Sequence, residues 1–183
     1  IYLGDASVEE GVFFESLNFA IVKKIPVIFV CENNFYSVYS PLSVRQPSNR
    51  KIYKMVKACN IKSYKTNGNY TNRVISTFLK AKNFVEKKNE PVFLEFETYR
   101  WFEHCGPNLD DHLKYRDEKE LLHWKKNDPI KILQNYLIKK KWINNNSIKN
   151  MKKSIINKIN VAFRYAKKSP FPKEKDLYKY LYK

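Results

Sequence analysis

The stretch that decides the fold begins with Gly4-Asp5-Ala6-Ser7-Val8-Glu9-Glu10-Gly11 and ends with Glu32-Asn33-Asn34-Phe35-Tyr36. Between these polar ends, residues 8–24 carry apolar side chains at helical spacing, and residues 27–31 form a continuous apolar run of strand length. A strand, a helix and a second strand make one crossover unit of a parallel sheet. Both polar ends are therefore predicted at the carboxyl edge of the sheet, where ligands bind in open α/β folds.

The composition is that of a folded domain. The chain has 183 residues, of which 43% are hydrophobic and 15% aromatic, enough for one domain with a core. No apolar run reaches the length of a membrane span. Ile1-Tyr2-Leu3 resembles the end of a strand, so we expect the chain to be the downstream part of a longer polypeptide. The three cysteines show neither disulfide nor metal-site spacing, which is typical of a reducing compartment.

The formal net charge of +17 raises the question of a polyanionic partner. The lysines, however, occur as scattered pairs on faces predicted to be solvated. We therefore expect neither nucleic acid nor a membrane as a partner, and a basic, non-catalytic binding module stays as the alternative from another functional class. The pairs are Lys23-Lys24, Lys87-Lys88, Lys125-Lys126, Lys152-Lys153 and Lys167-Lys168.

After the second strand, helices and strands continue to alternate. Residues 35–50 have no periodicity and are predicted as a long loop. Helices are predicted at 51–59 and 70–88, and strands at 61–65 and 92–98. The resulting order, β-α-β-α-β-α-β, predicts an α/β fold with a doubly wound, mostly parallel sheet.

The rest of the chain is predicted as one polar loop followed by helices. Helices are expected near residues 118–125, after Asp128-Pro129, and from Ser147 onward. We therefore predict a first domain, residues 1–116, that includes an active-site loop at 99–116. Residues 117–183 are predicted as a helical extension that packs on this domain or on a partner subunit.

Asp5 and Asn34 offer the ligand types that Mg²⁺ prefers. They lie 29 positions apart, with one helix and one strand between them, and the topology brings them together. One carboxylate, one amide oxygen and a backbone carbonyl just beyond Asn34 would make half of an octahedral shell, which diphosphate oxygens would complete. The amides of Ala6 and Ser7 would open the following helix and face the anion. The plainer alternative is a helix cap and a strand-end turn.

The polar loop after the last strand holds the other candidate groups, because it begins at the carboxyl end of a strand and is dense in titratable side chains. His104 lies beside Cys105, but adjacent residues seldom face each other, so a cysteine nucleophile is not expected. A metal site at Asp110, Asp111 and His112 is a weaker alternative to a solvated loop.

The arrangement of Gly-Asp and Asn-Asn resembles the thiamine diphosphate signature. The adjoining segments 8–20 and 30–34, together with Tyr99-Arg100-Trp101-Phe102-Glu103-His104 and Asp128-Pro129-Ile130, resemble the alpha subunit of the decarboxylating first component of 2-oxo acid dehydrogenase complexes, such as pyruvate dehydrogenase. The resemblance covers nearly the whole chain. It implies the thiamine diphosphate-binding fold and oxidative decarboxylation of a 2-oxo acid with acyl transfer to a lipoyl group.

The resemblance also implies roles for individual residues. Asp5, Asn34 and the carbonyl of Tyr36 would hold Mg²⁺, and the amides of Ala6 and Ser7 would meet the diphosphate. His104 matches the family's active-site histidine on the mobile loop, which would assist the reaction intermediate and the transfer to lipoamide. Arg100, Tyr115 and Arg116 match residues that order this loop around the cofactor and the lipoyl domain.

Two positions depart from the family pattern. Ala6 replaces the commonest glycine; because the ligand is the backbone amide, alanine is tolerable if its φ is negative. Cys105 stands where mammalian-type members carry a phosphorylated serine, so this control is not expected and a bacterial, cytoplasmic enzyme is favoured, with an organellar matrix as the location if the source is eukaryotic.

The implied partners are a beta subunit in an α₂β₂ assembly, a lipoyl-bearing acyltransferase and a small 2-oxo acid. Pyruvate is the expected substrate, with acetoin or branched-chain 2-oxo acid dehydrogenases as alternatives.

Overall fold

The computed structural model describes residues 1–179, so the predicted extension at 117–183 is described only up to residue 179. The strands within this part are β1 (Tyr2–Gly4), β2 (Ile28–Asn33), β3 (Tyr36–Ser37), β4 (Ser40–Pro41), β5 (Lys62–Asn67) and β6 (Val92–Glu97). The α-helices are α1 (Gly11–Val22), α2 (Leu42–Arg45), α3 (Ile52–Ala58), α4 (Thr71–Lys88), α5 (Glu118–Lys126), α6 (Pro129–Lys139) and α7 (Asn145–Lys168). Short 3₁₀ turns occupy Ser7–Glu9, Asp111–Leu113 and Glu174–Tyr178.

Four strands form one parallel sheet in the order β1-β2-β6-β5. In the register, Gly4 lies beside Glu32, and Asn33 lies beside Glu97. The predicted α/β class with a parallel sheet is confirmed. The segment predicted as an irregular loop at 35–50 contains more structure than expected, because β3 and β4 pair as a small antiparallel hairpin and α2 follows them.

Helices cover both faces of the sheet, as a doubly wound fold requires. On one face Phe29, Cys31 and Phe93 pack with buried residues of α1 and α3. On the other face β2 and β6 pack against Ala81 and Val85 of α4. Because both faces are covered, β6 reads as a nearly continuous apolar run. Burial of each large apolar side chain in these layers contributes about 1.5–3 kcal/mol.

Helix α1 begins three residues later than the pattern predicted. Residues 7–9 form a 3₁₀ turn, and Glu10 is extended, with φ −77° and ψ 142°, before the helix starts at Gly11. The turn allows Val8 to be buried while Glu9 contacts side chains of the 35–50 segment. The prediction of one continuous helix from residue 8 is wrong because an apolar pattern does not reveal this local bend.

Within the described chain, helix α1 is packed on one side only. Phe13, Leu17 and Ala20 are buried on the inner face. The outer face leaves Val12 and Phe19 more than half exposed. Helix α1 therefore presents one packed face and one apolar surface that is open in this structure.

The chain divides into two compact units, Ile1–Gln134 and Asn135–Lys183. The boundary after residue 116, predicted from the sequence, stays a prediction. Along the described helix α7 of the second unit no side chain is buried, although its apolar residues recur at spacings of three and four.

Residues 135–183 hold 14 of the 35 Lys and Arg residues but only two of the 18 Asp and Glu residues, so most of the excess positive charge lies in this unit. None of the helices described up to residue 179 has the length and apolarity to cross a bilayer.

Replacing Gly68 with alanine is expected to lower the free energy of unfolding by about 1–3 kcal/mol. The Gly68 amide donates to the carbonyl oxygen of Glu97 at 2.6 Å, and an added Cβ would lie 2.9 Å from that same oxygen. Because the clash is with backbone of a central strand, it is not relieved by rotation of a side chain.

Urea unfolding of Gly68→Ala beside Gly11→Ala measures this effect. An added Cβ at Gly11 meets no described atom within 4 Å, and the residue lies in a helix, so this control is expected to be neutral or stabilised by up to about 1 kcal/mol. Equal stability of the two variants would contradict the close approach at Gly68.

Candidate functional site

The two polar segments meet at the carboxyl edge of the sheet. Because Gly4 lies beside Glu32, the residues that follow, Asp5 on one strand and Asn33-Asn34 on the other, lie at the same edge. Asp5 is only 2% exposed, and Asn33 is equally buried. The edge therefore carries a buried carboxylate next to a turn made of two amide side chains.

The Asn-Asn turn is fixed by its own side chains. The Phe35 amide donates to Asn33 Oδ1 at 3.1 Å, and the Tyr36 amide donates to Asn34 Oδ1 at 3.0 Å. Phe35 has a φ of +69°, a left-handed conformation that these two hydrogen bonds stabilise. The Asn34 oxygen has a second lone pair and can still accept a cation.

Glu95 supports this turn from the centre of the sheet. Its side chain is buried in β6, where Oε1 accepts a hydrogen bond from Asn33 Nδ2 at 2.9 Å and Oε2 accepts one from the Tyr53 amide at 2.9 Å. The second contact lies in the first turn of α3, where the helix dipole favours a carboxylate. Its charge, with burial, raises the pKa of the neighbouring Cys31 thiol far above the usual range, burial being the larger cause.

Asp5 already faces a cation from the protein. Arg45, at the end of α2, donates from Nη2 to Asp5 Oδ2 and from Nη1 to Glu9 Oε1, the latter at 2.6 Å. Within residues 1–179 the other Asp5 oxygen, Oδ1, has no hydrogen-bond donor. A buried carboxylate with one free oxygen is suited to a hard divalent cation.

Tyr36 contributes differently through its backbone and its ring. It lies opposite Pro41 in the hairpin as a non-hydrogen-bonded pair, because the ladder bond next to it runs from the Leu42 amide to the Phe35 carbonyl at 2.7 Å. Its hydroxyl donates to Glu120 Oε2 at 2.6 Å, and burial together with this hydrogen bond raises the pKa of Tyr36 above its usual range. The residue thus ties the edge of the sheet to α5 while its carbonyl is free of this strand pairing.

Ala6 and Ser7 take a tighter turn than predicted. Ala6 precedes the 3₁₀ turn with φ −74°, in the right-handed region, so the alanine is unstrained at this position. Ser7 opens the 3₁₀ turn and not α1. Their assignment to a diphosphate stays a prediction. In this structure the amides belong to a short turn, so the full dipole of α1 would not contribute to anion binding.

A buried carboxylate anchors the polar loop between β6 and α5. Asp110 is 1% exposed and accepts hydrogen bonds from Arg116 Nη2 and, at 2.6 Å, from the Tyr115 hydroxyl. Burial and the bond to Asp110 raise the pKa of Tyr115 to about 12. Burial and the nearby Glu120 carboxylate raise that of Tyr99 to about 12. Asp110 is therefore a structural partner of Arg116 and not a free metal ligand.

Arg100 joins this network. Its Nη2 donates to the carbonyl of Val38 at 2.6 Å and to the Tyr115 hydroxyl at 3.3 Å, and its Nη1 donates to the Phe102 carbonyl at 3.2 Å. The guanidinium connects the polar loop to the β3–β4 hairpin. Its contact with a cofactor stays a prediction.

His104 lies exposed near the tip of the same loop. The tip is closed where the Glu103 amide donates to the Asn108 carbonyl at 2.9 Å and Asn108 Nδ2 donates to Glu103 Oε1 at 2.8 Å. Within the described residues His104 takes part in no hydrogen bond with Asp5 or Asn34. The structure therefore brings the predicted metal ligands to one edge and leaves the predicted catalytic histidine on a separate, accessible loop.

Comparison with known proteins assigns the chain to a family. The family described as "Dehydrogenase E1 component" matches residues 1–175. The chain belongs to the dehydrogenase E1 component family. The predicted recognition is confirmed.

E1 relatives match almost the full length of this chain. The pyruvate dehydrogenase E1 component subunit alpha of Rickettsia bellii is 28% identical over 181 residues, which are 99% of this chain and 54% of the relative. The chloroplastic subunit alpha-3 of Arabidopsis thaliana is 31% identical over 93% of this chain and 39% of the relative. The mitochondrial 2-oxoisovalerate dehydrogenase subunit alpha of Homo sapiens is 30% identical over 99% of this chain and 40% of the relative. The chain spans about half the length, or less, of these relatives.

Sequence reasoning missed three residues of this E1 chain whose side chains bond to Asp5, Asn33 and Tyr36. They are Arg45, Glu95 and Glu120. Glu95 could have been found, because a carboxylate inside an apolar strand must be satisfied by partners. Arg45 and Glu120 carry no such signal, since each acts across 40 or 84 positions of sequence. No group of three or more His, Cys, Asp or Glu side chains suited to a metal occurs within residues 1–179. A metal at this edge would therefore be coordinated by the Asp5 carboxylate, by neutral oxygen atoms of the protein and by ligands that do not come from the protein.

Proposed function

We propose that this chain forms the magnesium diphosphate-binding part of the alpha subunit of a thiamine diphosphate-dependent 2-oxo acid dehydrogenase. The observation that carries the proposal is the buried Asp5 carboxylate, which has one free oxygen and lies beside the Asn33-Asn34 turn at the carboxyl edge of the sheet. Arg45 compensates the charge of Asp5 through Oδ2, and the free Oδ1 at a ligand-binding edge can accept a hard cation. Membership of the E1 family supports the same assignment.

The residues at this edge of the sheet fit a magnesium ion with a bound diphosphate. Asp5 Oδ1, Asn34 Oδ1 and the Tyr36 carbonyl would hold Mg²⁺, which takes oxygen ligands and keeps phosphate and water in its other positions. The amides of Ala6 and Ser7 would face the diphosphate. When bound, thiamine diphosphate supplies the carbon nucleophile that adds to the 2-oxo acid and carries the acyl group after carbon dioxide leaves.

The polar loop would serve the acyl transfer. His104, exposed at the loop tip, is in a position to meet a lipoyl group carried by a second protein and to hold or move a proton at its imidazole. Arg100, Tyr115 and Arg116 would keep the loop in one conformation through their contacts with Asp110 and the hairpin. A beta subunit would complete the site in an α₂β₂ assembly, and a lipoyl-bearing acyltransferase would accept the acyl group.

Pyruvate is the substrate that we propose first, and a branched-chain 2-oxo acid or acetoin is the alternative. Relatives of both kinds match at similar identity, since one is called a pyruvate dehydrogenase subunit and another a 2-oxoisovalerate dehydrogenase subunit. Steady-state assays of the assembled enzyme with each 2-oxo acid separate these choices through kcat/KM.

Asp5→Asn is expected to abolish the magnesium-dependent binding of thiamine diphosphate, because it removes the charged ligand while keeping the shape of the side chain. Isothermal titration calorimetry of the alpha chain assembled with its beta subunit measures the binding with Mg²⁺ present and absent. Glu32→Gln is the matched control, since this exposed carboxylate lies on the same edge beside Gly4. Its affinity is expected to equal that of the wild type.

Two outcomes would count against the proposal. Asp5→Asn that binds as tightly as Glu32→Gln would remove Asp5 from the site. A wild-type assembly that takes up no thiamine diphosphate but binds DNA in a strongly salt-dependent manner would favour the basic binding module, whose charge would come mainly from residues 135–183.

A further inference from the structure

Arg45 connects three parts of the candidate site. It ends α2, in the segment between β2 and α3, and its two Nη atoms reach Asp5 and Glu9. Its side chain is 12% exposed, compared with 2% for Asp5 and 25% for Glu9. The guanidinium is therefore a largely buried cation held between two carboxylates at the edge of the sheet.

The local structure of the segment fixes this guanidinium in place. Arg45 Nε donates to the carbonyl of Ser40 at 3.2 Å, so all three nitrogens of the guanidinium make hydrogen bonds. The next residue, Gln46, is buried and donates from Nε2 to the same Glu9 oxygen at 2.8 Å. Arg45 thus has little freedom to leave Asp5 while the hairpin and the 3₁₀ turn are folded.

The contact uses one Asp5 oxygen and leaves the other available. Arg45 Nη2 bonds to Oδ2, whereas Oδ1 has no donor among residues 1–179. A planar guanidinium fixes the orientation of a carboxylate better than a lysine does, because its donors form a rigid fork. Carboxylates that bind metals are commonly oriented in this way by hydrogen bonds from a neighbouring group.

We propose that Arg45 is a positioning residue for the cation site, a role that rests on the proposed function. It compensates the buried charge of Asp5 before the cation arrives and turns Oδ1 toward the position that Mg²⁺ takes with the diphosphate. The opposite role, a cation that competes with the metal, would require Arg45 to cover both oxygens or to be free to swing away. The contacts to Ser40 and Glu9 oppose such movement.

The test is the binding of Mn²⁺, used as a probe for Mg²⁺, to the alpha chain assembled with its beta subunit in the presence of thiamine diphosphate. Electron paramagnetic resonance counts free and bound Mn²⁺ without any turnover. Arg45→Gln is expected to weaken Mn²⁺ binding about 10- to 100-fold, the usual effect of removing a group that orients a metal ligand. The Mn²⁺ affinity of Arg45→Lys is expected to lie between those of the wild type and Arg45→Gln, because lysine keeps the charge but lacks the planar set of donors.

The matched control is Arg50→Gln, an exposed arginine near the end of the same segment, which is expected to bind Mn²⁺ as the wild type does. At saturating Mn²⁺ the affinity of Arg45→Gln for thiamine diphosphate is expected to return to the wild-type value, which general loss of structure would not produce. Should Arg45→Gln be unstable, as a thermal melt without ligands would reveal, Arg45→Lys carries the test.

The two proposals fail in different ways. If the wild-type assembly binds Mn²⁺ and thiamine diphosphate, and the Arg45 variants bind Mn²⁺ as tightly or more tightly, only the positioning role is overturned. A wild-type assembly that binds neither Mn²⁺ nor thiamine diphosphate overturns the proposed function and the role of Arg45 together.

Discussion

Asp110→Ala is expected to lower the free energy of unfolding by about 3–5 kcal/mol, the usual cost of removing one member of a buried ion pair. Its partner Arg116 has a side chain only 4% exposed, so the guanidinium would stay buried without its main counter-charge. The Tyr115 hydroxyl, now 2.6 Å from Asp110 Oδ2, would also lose its acceptor. Chemical denaturation of Asp110→Ala, of the control variant Asp111→Ala and of the wild type measures the change.

Asp111→Ala is the control for this prediction. Asp111 is 39% exposed and lies 3.3 Å from Arg116 and 3.8 Å from Lys125, so it is a surface ion-pair member whose loss costs at most about 1 kcal/mol. The two neighbouring aspartates have the same chemistry and differ mainly in burial. If both substitutions cost the same, Asp110 does not anchor the loop.

Asp110→Asn separates the charge from the hydrogen bonds. The amide keeps an acceptor for Tyr115, while the negative charge beside Arg116 disappears. Because the bond to the Asp110 carboxylate is one cause of the raised pKa of Tyr115, alkaline titration of this tyrosine should move down from about 12 in this variant. A spectrophotometric titration of tyrosinate, compared with the wild type and with Tyr115→Phe, detects the shift.

The sheet was predictable because it depends on local patterns. The apolar runs of β2 and β6 identify central parallel strands, and the helical periodicity of α3 and α4 places the crossovers between them. Polar residues that end β1 and β2 then had to meet at one edge, as the register of Gly4 with Glu32 confirms. Here the physical cause lies within a few residues of each element.

The surroundings of Asp5 were not predictable for the opposite reason. Arg45 reaches Asp5 only because the 35–50 segment folds into a hairpin and a short helix, and no apolar period marks either one. The extended Glu10 that delays α1 is likewise a consequence of burying Val8 and satisfying Glu9. Such contacts depend on the assembled tertiary structure and leave no spacing in the sequence.

The loop shows both situations. Its density of titratable groups after β6 predicted a functional segment, yet it did not reveal that Asp110 is buried as an anchor while the adjacent Asp111 faces solvent. His104 was identified only through resemblance to the E1 family, since an exposed histidine in a polar loop has no distinctive physical signal. In the structure, the buried Asp110 anchors the 99–116 loop, while the tip of the loop, with His104, stays exposed.

His104→Asn is expected to reduce the rate of acyl transfer to a lipoyl domain about 10²- to 10⁴-fold, the range for loss of a residue that holds or moves a proton, if the proposed function holds. The free energy of unfolding should change by no more than about 0.5 kcal/mol, because His104 is exposed and makes no hydrogen bond within the described residues. The measurement is single-turnover acylation of the isolated lipoyl domain by the assembled enzyme, with thermal melts beside it.

His112→Asn provides the matched comparison, because His112 is also exposed on the 99–116 loop and no role in acyl transfer is proposed for it. Binding of thiamine diphosphate is expected to be unchanged in both variants, since Asp5 and Asn34 lie on other elements. Equal acylation rates in His104→Asn and His112→Asn would remove His104 from the reaction. A slow His104→Asn variant that binds the cofactor normally would instead place its effect after cofactor binding, on the side of the site that faces the lipoyl group.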